Sequence, residues 1–348
     1  MSTLILLVLA LAAVVLAALG IFALYMVVRY TPVIVRVFEE KPVFLPLRTE
    51  PEPGGEEVGF ATVDGLELHG SYFRSRTDRR AGVVVFCHEF LGDRWSFQPY
   101  TDGLRDLGFD LFTFDFRNHG TSATEPGHEP LQWVSDREVR DLGAALAYLR
   151  SRPDRDPAGV GLFGISRGGG TALCVAADDP TVWGVVTDGA FPTRGTMLAY
   201  IRRWAEIFVA SQMIRRFMPV WAYALLGWIG RTRCAWRLRR RFLNVERAAA
   251  RLSPRPWLMI HGEKDAYIGP EIARELFAHA RDPKESWIVP GAKHNRCREV
   301  EPDAYRERIT AFFRRFSPRR PAPGGRLTED GRAAASVPAP SIAVPAAD

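Results

Sequence analysis

Hydrophobic positions follow several different patterns along the chain. Residues 4–28 contain no charged side chain, a run long enough to cross a bilayer with some tilt. Residues 60–63 and 66–73 instead alternate apolar with polar around Asp64-Gly65, the pattern of a half-buried hairpin. Solid apolar runs follow at 83–87, 109–116, 159–165, 183–187, 257–260 and 287–289, as strands buried on both faces require. Helical patterns separate several of them, at 100–107, 138–150 and 271–280. Alternation of this kind predicts an α/β fold, a mostly parallel eight-stranded sheet with helices on both faces.

The alternation stops after Phe191 for about sixty residues rich in Trp, Arg and Phe. The chain therefore divides into a transmembrane anchor (1–30), a linker (31–58), the first part of the core (59–190), a helical insert after the sixth strand (191–254), the second part of the core (255–316) and a tail (317–348). The tail is dominated by Pro, Ala, Gly and Ser and is expected to be disordered.

Charge sharpens this division. The formal net charge is +6 over 348 residues, yet the insert alone holds thirteen arginines, no lysine and two acids, Glu206 and Glu246. The basic character is local, and the rest of the chain is net acidic. Nothing basic precedes the apolar run at 4–28, and the run exceeds the apolar core of a cleaved signal, which favours an uncleaved anchor. Arg29, Arg36, Lys41 and Arg48 follow it, so the positive-inside rule places the bulk of the protein in the cytoplasm. Within the insert, the apolar stretch 217–229 precedes the arginine cluster at 231–241. It suits either an interfacial surface on an anionic leaflet or a cap folded over a pocket with its arginines in water. No nucleic-acid-binding module accompanies these arginines, so a nucleic-acid partner is not expected. The four cysteines show no metal-binding or redox spacing, and Cys87 and Cys174 fall in core runs, which suits buried free thiols in a reducing compartment.

The candidate chemistry centres on Gly164-Ile165-Ser166-Arg167-Gly168, a G-x-S-x-G stretch between an apolar strand and an apolar, helix-compatible segment. A serine on such a turn points its hydroxyl out of the sheet, and the flanking glycines remove Cβ atoms that would collide. Residues 159–164 also match G-x-G-x-x-G, but they lie inside the strand, where a dinucleotide fingerprint does not belong. A serine hydroxyl needs a base to take its proton, and the base needs a carboxylate to orient it. Asp265 and His294 each sit just past an apolar strand, giving the chain order Ser…Asp…His.

These pieces resemble the α/β-hydrolase superfamily over residues 59–316, interrupted by the insert. The resemblance is carried by the elbow, by His88-Glu89-Phe90-Leu91-Gly92 after the third strand and Asp115 to Ser122 after the fourth, and by His261-Gly-Glu-Lys-Asp265 and Gly291-Ala-Lys-His294. It implies the α/β-hydrolase fold with the insert as a helical cap. It further implies Ser166 as nucleophile, His294 as general base and then acid, and Asp265 as its orienter, with Asp188, one strand earlier, as an alternative acid. The backbone N–H groups of Arg167 and Phe90 would form the oxyanion hole. His88, His119, His261 and Asp115 are expected to brace loops. Glu89 departs from the family, which reads glycine there; its carboxylate is expected to turn away from the hole toward Arg94 or Arg117.

The expected activity is that of a membrane-anchored serine hydrolase cleaving carboxylic esters or thioesters of hydrophobic acyl groups, small-molecule or lipid, with no metal or organic cofactor. A serine peptidase of the same fold and a catalytically silent membrane scaffold are the alternatives.

Overall fold

The computed structural model describes residues 2–39, 45–209 and 212–318. Most of the tail read as disordered (from residue 319) and Lys41 of the basic flank lie outside the described residues. An eight-stranded sheet forms the centre: β1 (Glu56–Ala61), β2 (Glu67–Phe73), β3 (Gly82–Cys87), β4 (Phe109–Phe114), β5 (Val160–Ile165), β6 (Val182–Asp188), β7 (Trp257–Gly262) and β8 (Lys284–Val289). The spatial order is β1-β2-β4-β3-β5-β6-β7-β8. β1 and β2 form the expected hairpin, with Gly65 at φ 80° in its turn. β2 pairs antiparallel with β4, and every pairing from β4 onward is parallel. The parallel strands β3 to β7 are the solid apolar runs of the sequence because helices cover both their faces.

Chain order assigns the helices α1 (Ser2–Glu39), α2 (Asp136–Ser151), α3 (Arg167–Ala176), α4 (Thr193–Phe208), α5 (Gln212–Phe217), α6 (Val220–Arg237), α7 (Val245–Ala250), α8 (Pro270–His279), α9 (Cys297–Val300) and α10 (Pro302–Phe316). One face of the sheet packs against apolar residues of α2, α3, α7 and α8, including Leu142, Leu173, Val245 and Leu276. The other packs against α10 through Tyr305, Ile309, Phe312 and Phe313, together with Phe97, Tyr100 and Leu104.

Residues 100–107 are not the helix that their apolar spacing predicts. They form turns ending in a short 3₁₀ segment, Arg105–Leu107. Gly103 sits at φ 80° inside the segment and Gly108 at φ 90° closes it; these left-handed positions break a helix that side-chain spacing alone would allow. The elbow helix also differs. It begins at Arg167, so the glycines at 168–170 lie in its first turn.

α1 does not stop where the charges begin. It runs on past Arg29 and Pro32 to Glu39, and its last turns pack on the insert. Ile34 and Phe38 join a cluster with Trp133, Phe191, Ile201, Tyr223 and Leu226. Phe38 stacks on Trp133 at 4.6 Å, and the Trp133 indole N–H donates to the Phe38 carbonyl at 3.1 Å. α6 approaches α1 closely because Gly230 offers no side chain; a Cβ there would lie 2.4 Å from Ile34 Cγ2. The insert's ends are clamped together by Glu246 of α7, whose carboxylate accepts from the backbone N–H groups of Thr193, Arg194 and Gly195 at 3.1, 2.6 and 3.1 Å. An acid at the N-terminus of α4 also meets the positive end of the helix dipole.

Gly230→Leu forces a side chain into the seam between α1 and α6. Overpacking of this kind costs about 1–3 kcal/mol, so the variant should unfold at a lower temperature in a thermal melt, whereas Gly143→Ala, on an open helix face, should not.

Candidate active site

Ser166 stands at the junction of β5 and α3 with φ 51° and ψ −116°, a backbone conformation that side-chain-bearing residues seldom adopt. Two bare glycines make the turn possible. A Cβ on Gly164 would lie 2.5 Å from the Gly168 carbonyl oxygen, and one on Gly168 would lie 2.2 Å from the Cys87 carbonyl oxygen. The Ser166 N–H donates to the Asp188 carbonyl at 2.7 Å, tying the elbow to the end of β6.

Three side chains then form a relay. The Ser166 hydroxyl donates to His294 Nε2 at 3.0 Å, and His294 Nδ1 donates to Asp265 Oδ2 at 2.5 Å. The other Asp265 oxygen accepts from the backbone N–H groups of Tyr267 and Ile268, both at 2.9 Å. Burial works against an Asp265 carboxylate, but the bond from His294 and these backbone donors outweigh it, and its pKa lies below the ordinary value. The loops carrying Asp265 and His294 are laced together: Lys264 N–H donates to the Ala292 carbonyl at 2.8 Å, and a Cβ on Gly262 would collide with that same oxygen.

The alternative acid is occupied elsewhere. Asp188 accepts from the Tyr305 hydroxyl at 2.9 Å and faces the Cys297 thiol. Its complete burial raises its pKa to about 6.

The two residues read as oxyanion donors flank the serine. Phe90 lines the same pocket as Ser166 and His294, and Arg167 opens α3, where first-turn N–H groups have no partner inside the helix. The Arg167 side chain turns inward and is fully buried. Its guanidinium donates to the Leu131 carbonyl at 3.1 Å and to His119 Nε2 at 3.1 Å, and meets Glu138 at 3.4 Å. Burial lowers the Arg167 pKa; Glu138, held by Arg167 and by Ser135, lies below its ordinary value in spite of burial.

Glu89 does not reach Arg94 or Arg117. Those arginines are taken by carboxylates closer in the fold. Arg94 pairs with Asp115 and Glu57, each at 2.7 Å. Arg117 pairs with Asp141, Asp64 and Glu125 at 2.6, 2.9 and 2.7 Å. Glu89 is 1% exposed and its Oε1 accepts from the Leu47 backbone N–H at 3.0 Å. Burial pushes its pKa up.

His88, His119 and His261 brace loops. His88 Nδ1 donates to the Glu89 carbonyl at 2.7 Å while Nε2 accepts from the Phe116 N–H at 3.1 Å, and burial drops its pKa to about 3. His119 donates to the Arg117 carbonyl and His261 to the Ile268 carbonyl. Asp115 accepts from the Arg94 and Thr121 N–H groups. All four cysteines are free and buried. Among the described residues no cluster of three or more His, Cys, Asp or Glu is arranged to hold a metal ion.

Gln132, Phe191, Tyr200, Tyr267 and Ile268 complete the pocket wall. Sequence reasoning missed these residues. Tyr267 and Ile268 lie just beyond Asp265, and only that proximity signals them; Gln132 and Tyr200 come from elements whose packing the pattern does not specify.

The sequence pattern of the alpha/beta hydrolase family matches residues 84–308. "Uncharacterized protein YfhR" of Escherichia coli strain K12 is 27% identical over 270 residues, covering 76% of this chain and 82% of that protein. "Thiohydrolase aneE" of Aspergillus aculeatus is 32% identical over 127 residues, 36% of this chain and 38% of that protein. Among solved structures, the Pyrococcus furiosus esterase PF2001 superposes with a TM-score of 0.58 at 20% identity, over 78% of this chain and 97% of that one. That likeness is one of fold.

The raised pKa of Asp188 has a signed consequence. The folded state holds a proton there that the unfolded chain has already released between about pH 4 and 6, so folding stability falls as pH rises through that window. Asp188→Asn should remove this loss. Across pH 4 to 7 the stability of the wild type should decline relative to the variant by about 3 kcal/mol, read from urea midpoints. Parallel pH profiles would contradict an Asp188 that is protonated in the folded state.

Proposed function

Since the chain belongs to the alpha/beta hydrolase family, we propose that it is a serine hydrolase cleaving carboxylic ester or thioester bonds of hydrophobic acyl substrates at a membrane. The observation that carries this reading is the relay of Ser166, His294 and Asp265 at 3.0 and 2.5 Å. In the proposed reaction Ser166 Oγ attacks the acyl carbonyl carbon while His294 Nε2 takes the hydroxyl proton. Asp265 holds the ring and offsets the charge it gains. The carbonyl oxygen, now an oxyanion, is met by the Arg167 and Phe90 N–H groups. Collapse breaks the bond to the leaving alcohol or thiol, which receives the proton from His294. Water then repeats the sequence on the acyl-Ser166 ester, releasing the acid and restoring the serine.

A hydrophobic acyl group suits the pocket wall of Phe90, Phe191, Tyr200 and Ile268. The thioester is kept beside the ester because of the partial match to a thiohydrolase.

The membrane part rests on α1. Residues Thr3–Arg36 form a helix long and apolar enough to cross a bilayer, and its apolar side chains from Leu4 to Leu24 face outward. Beside it, the insert exposes Trp221, Trp228 and Trp236, side chains suited to a membrane interface. A small apolar cavity of about 40 Å³ lies between α1 and the insert, lined by Met26, Tyr30, Ile34, Ile201, Tyr223 and Leu226 among others. Arg29, Arg36 and Arg48 follow the apolar run and favour a cytoplasmic catalytic domain.

A fluorophosphonate probe should label the wild type and not Ser166→Ala, and the variant should lose ester hydrolysis by about ten-thousandfold or more while keeping its melting temperature. Asp265→Asn should lower kcat by about a thousandfold or more. Folded wild type that takes up no label would remove the enzyme reading in favour of a silent scaffold. For orientation, external protease should spare the catalytic domain in intact cells and digest it in inverted membrane vesicles; the reverse result would turn the protein around.

A further inference from the structure

Glu89 stands in the turn that carries the Phe90 N–H. The Gly92 N–H donates to the Glu89 carbonyl at 3.1 Å, closing the turn, and Leu91 within it takes φ 61°. A run of hydrogen bonds fastens residues 47–50 along this loop. Besides the Leu47 N–H on Glu89, Arg48 donates to Asp93 Oδ2 at 2.6 Å and to the Leu91 carbonyl at 3.1 Å. The Thr49 hydroxyl donates to the Trp95 carbonyl at 2.5 Å, and Gln98 donates to the Glu50 carbonyl at 2.6 Å. This strap is the segment leading from α1 to β1. Of the loop side chains it engages, Glu89 is the most buried and lies directly before the oxyanion donor.

We propose that Glu89 is a positioning residue: by accepting the Leu47 N–H it pins the Phe90 turn to the strap that follows the N-terminal helix. The inference rests on the serine hydrolase reading above. It also accounts for the departure from glycine. A free carboxylate beside a developing oxyanion opposes the reaction; here Oε1 is committed to Leu47, and burial moves the group toward its neutral form. The side chain supplies an anchoring bond that glycine cannot make.

The test uses the full-length chain with Glu89→Ala, Glu89→Gln, Leu47→Pro, which deletes the donor N–H, and the Glu89→Ala/Leu47→Pro double variant. Two quantities are read: hydrolysis of p-nitrophenyl butyrate, and deuterium exchange of the peptides spanning 45–50 and 88–95. Removing an oxyanion donor outright costs about 100- to 1,000-fold in kcat, so loosening one should cost about tenfold. Glu89→Ala and Leu47→Pro should each lower kcat by about that factor with KM within about twofold, and the double variant should fall no further than either alone. Glu89→Gln, which keeps an acceptor, should stay within about threefold of wild type. Exchange in both peptides should speed up in Glu89→Ala. Unchanged exchange in Glu89→Ala would overturn the proposal whatever the activity, as would additive losses in the double variant or Glu89→Gln as damaged as Glu89→Ala. If Ser166→Ala remains active, the hydrolase reading fails instead, and the exchange measurement still decides whether Glu89 holds the loop.

Discussion

The backbone of Ser166 is the constraint on which the rest of the site depends. A side-chain-bearing residue at φ 51° and ψ −116° costs about 1–3 kcal/mol and persists only where its surroundings hold it there. The hold is made of backbone. β6 receives the Ser166 N–H, and Gly164 and Gly168 bring β5, α3 and the end of β3 to distances that no Cβ would permit. The contact between Gly168 and the Cys87 and His88 carbonyls brings the Phe90 loop against the elbow. The strained serine and its two proposed oxyanion donors are therefore consequences of one packing arrangement, and any side chain at position 168 would disturb them together.

Much of this was legible because it is written in short-range pattern. Solid apolar runs locate the parallel strands, and Ser166, Asp265 and His294 each follow one, so their convergence in space follows from the sheet. What was not legible involves partners chosen across the fold. Residues 100–107 have helical spacing, but Gly103 and Gly108 at positive φ override it. Glu89 had plausible arginines nearby in sequence, yet Asp115 and Asp141 hold those arginines, and its partner is a main-chain N–H 42 residues away. A backbone donor carries no sequence signature, so no residue pattern can announce it.

Arg167 illustrates the same limit at closer range. The motif places its N–H beside the serine and says nothing of its side chain. In the fold that side chain is a fully buried cation facing Glu138, His119 and the Leu131 carbonyl. A buried charge left without these partners would cost several kcal/mol. Glu138 is in turn fixed by the capping box that opens α2 at Ser135. The elbow is thus braced from behind by a helix start 31 residues earlier in the chain, and replacing Glu138 would remove the carboxylate that faces Arg167 without touching the relay.

The N-terminal helix, the insert and the strap cannot be treated as attachments to a self-sufficient core. Phe38 of α1 stacks on Trp133, and Trp133 contacts Phe191 and Tyr200 edge-on, two residues of the pocket wall. From the other side, the segment after α1 fastens to the loop of Phe90. The end of α1 and the chain just beyond it therefore reach the candidate site by two independent routes, one apolar through the insert and one polar through Glu89. A boundary drawn at residue 58, where composition alone suggests that the folded core begins, would cut both. If α1 spans a bilayer as proposed, its C-terminal end backs the pocket wall through Trp133, so packed side chains join the spanning helix to the candidate site.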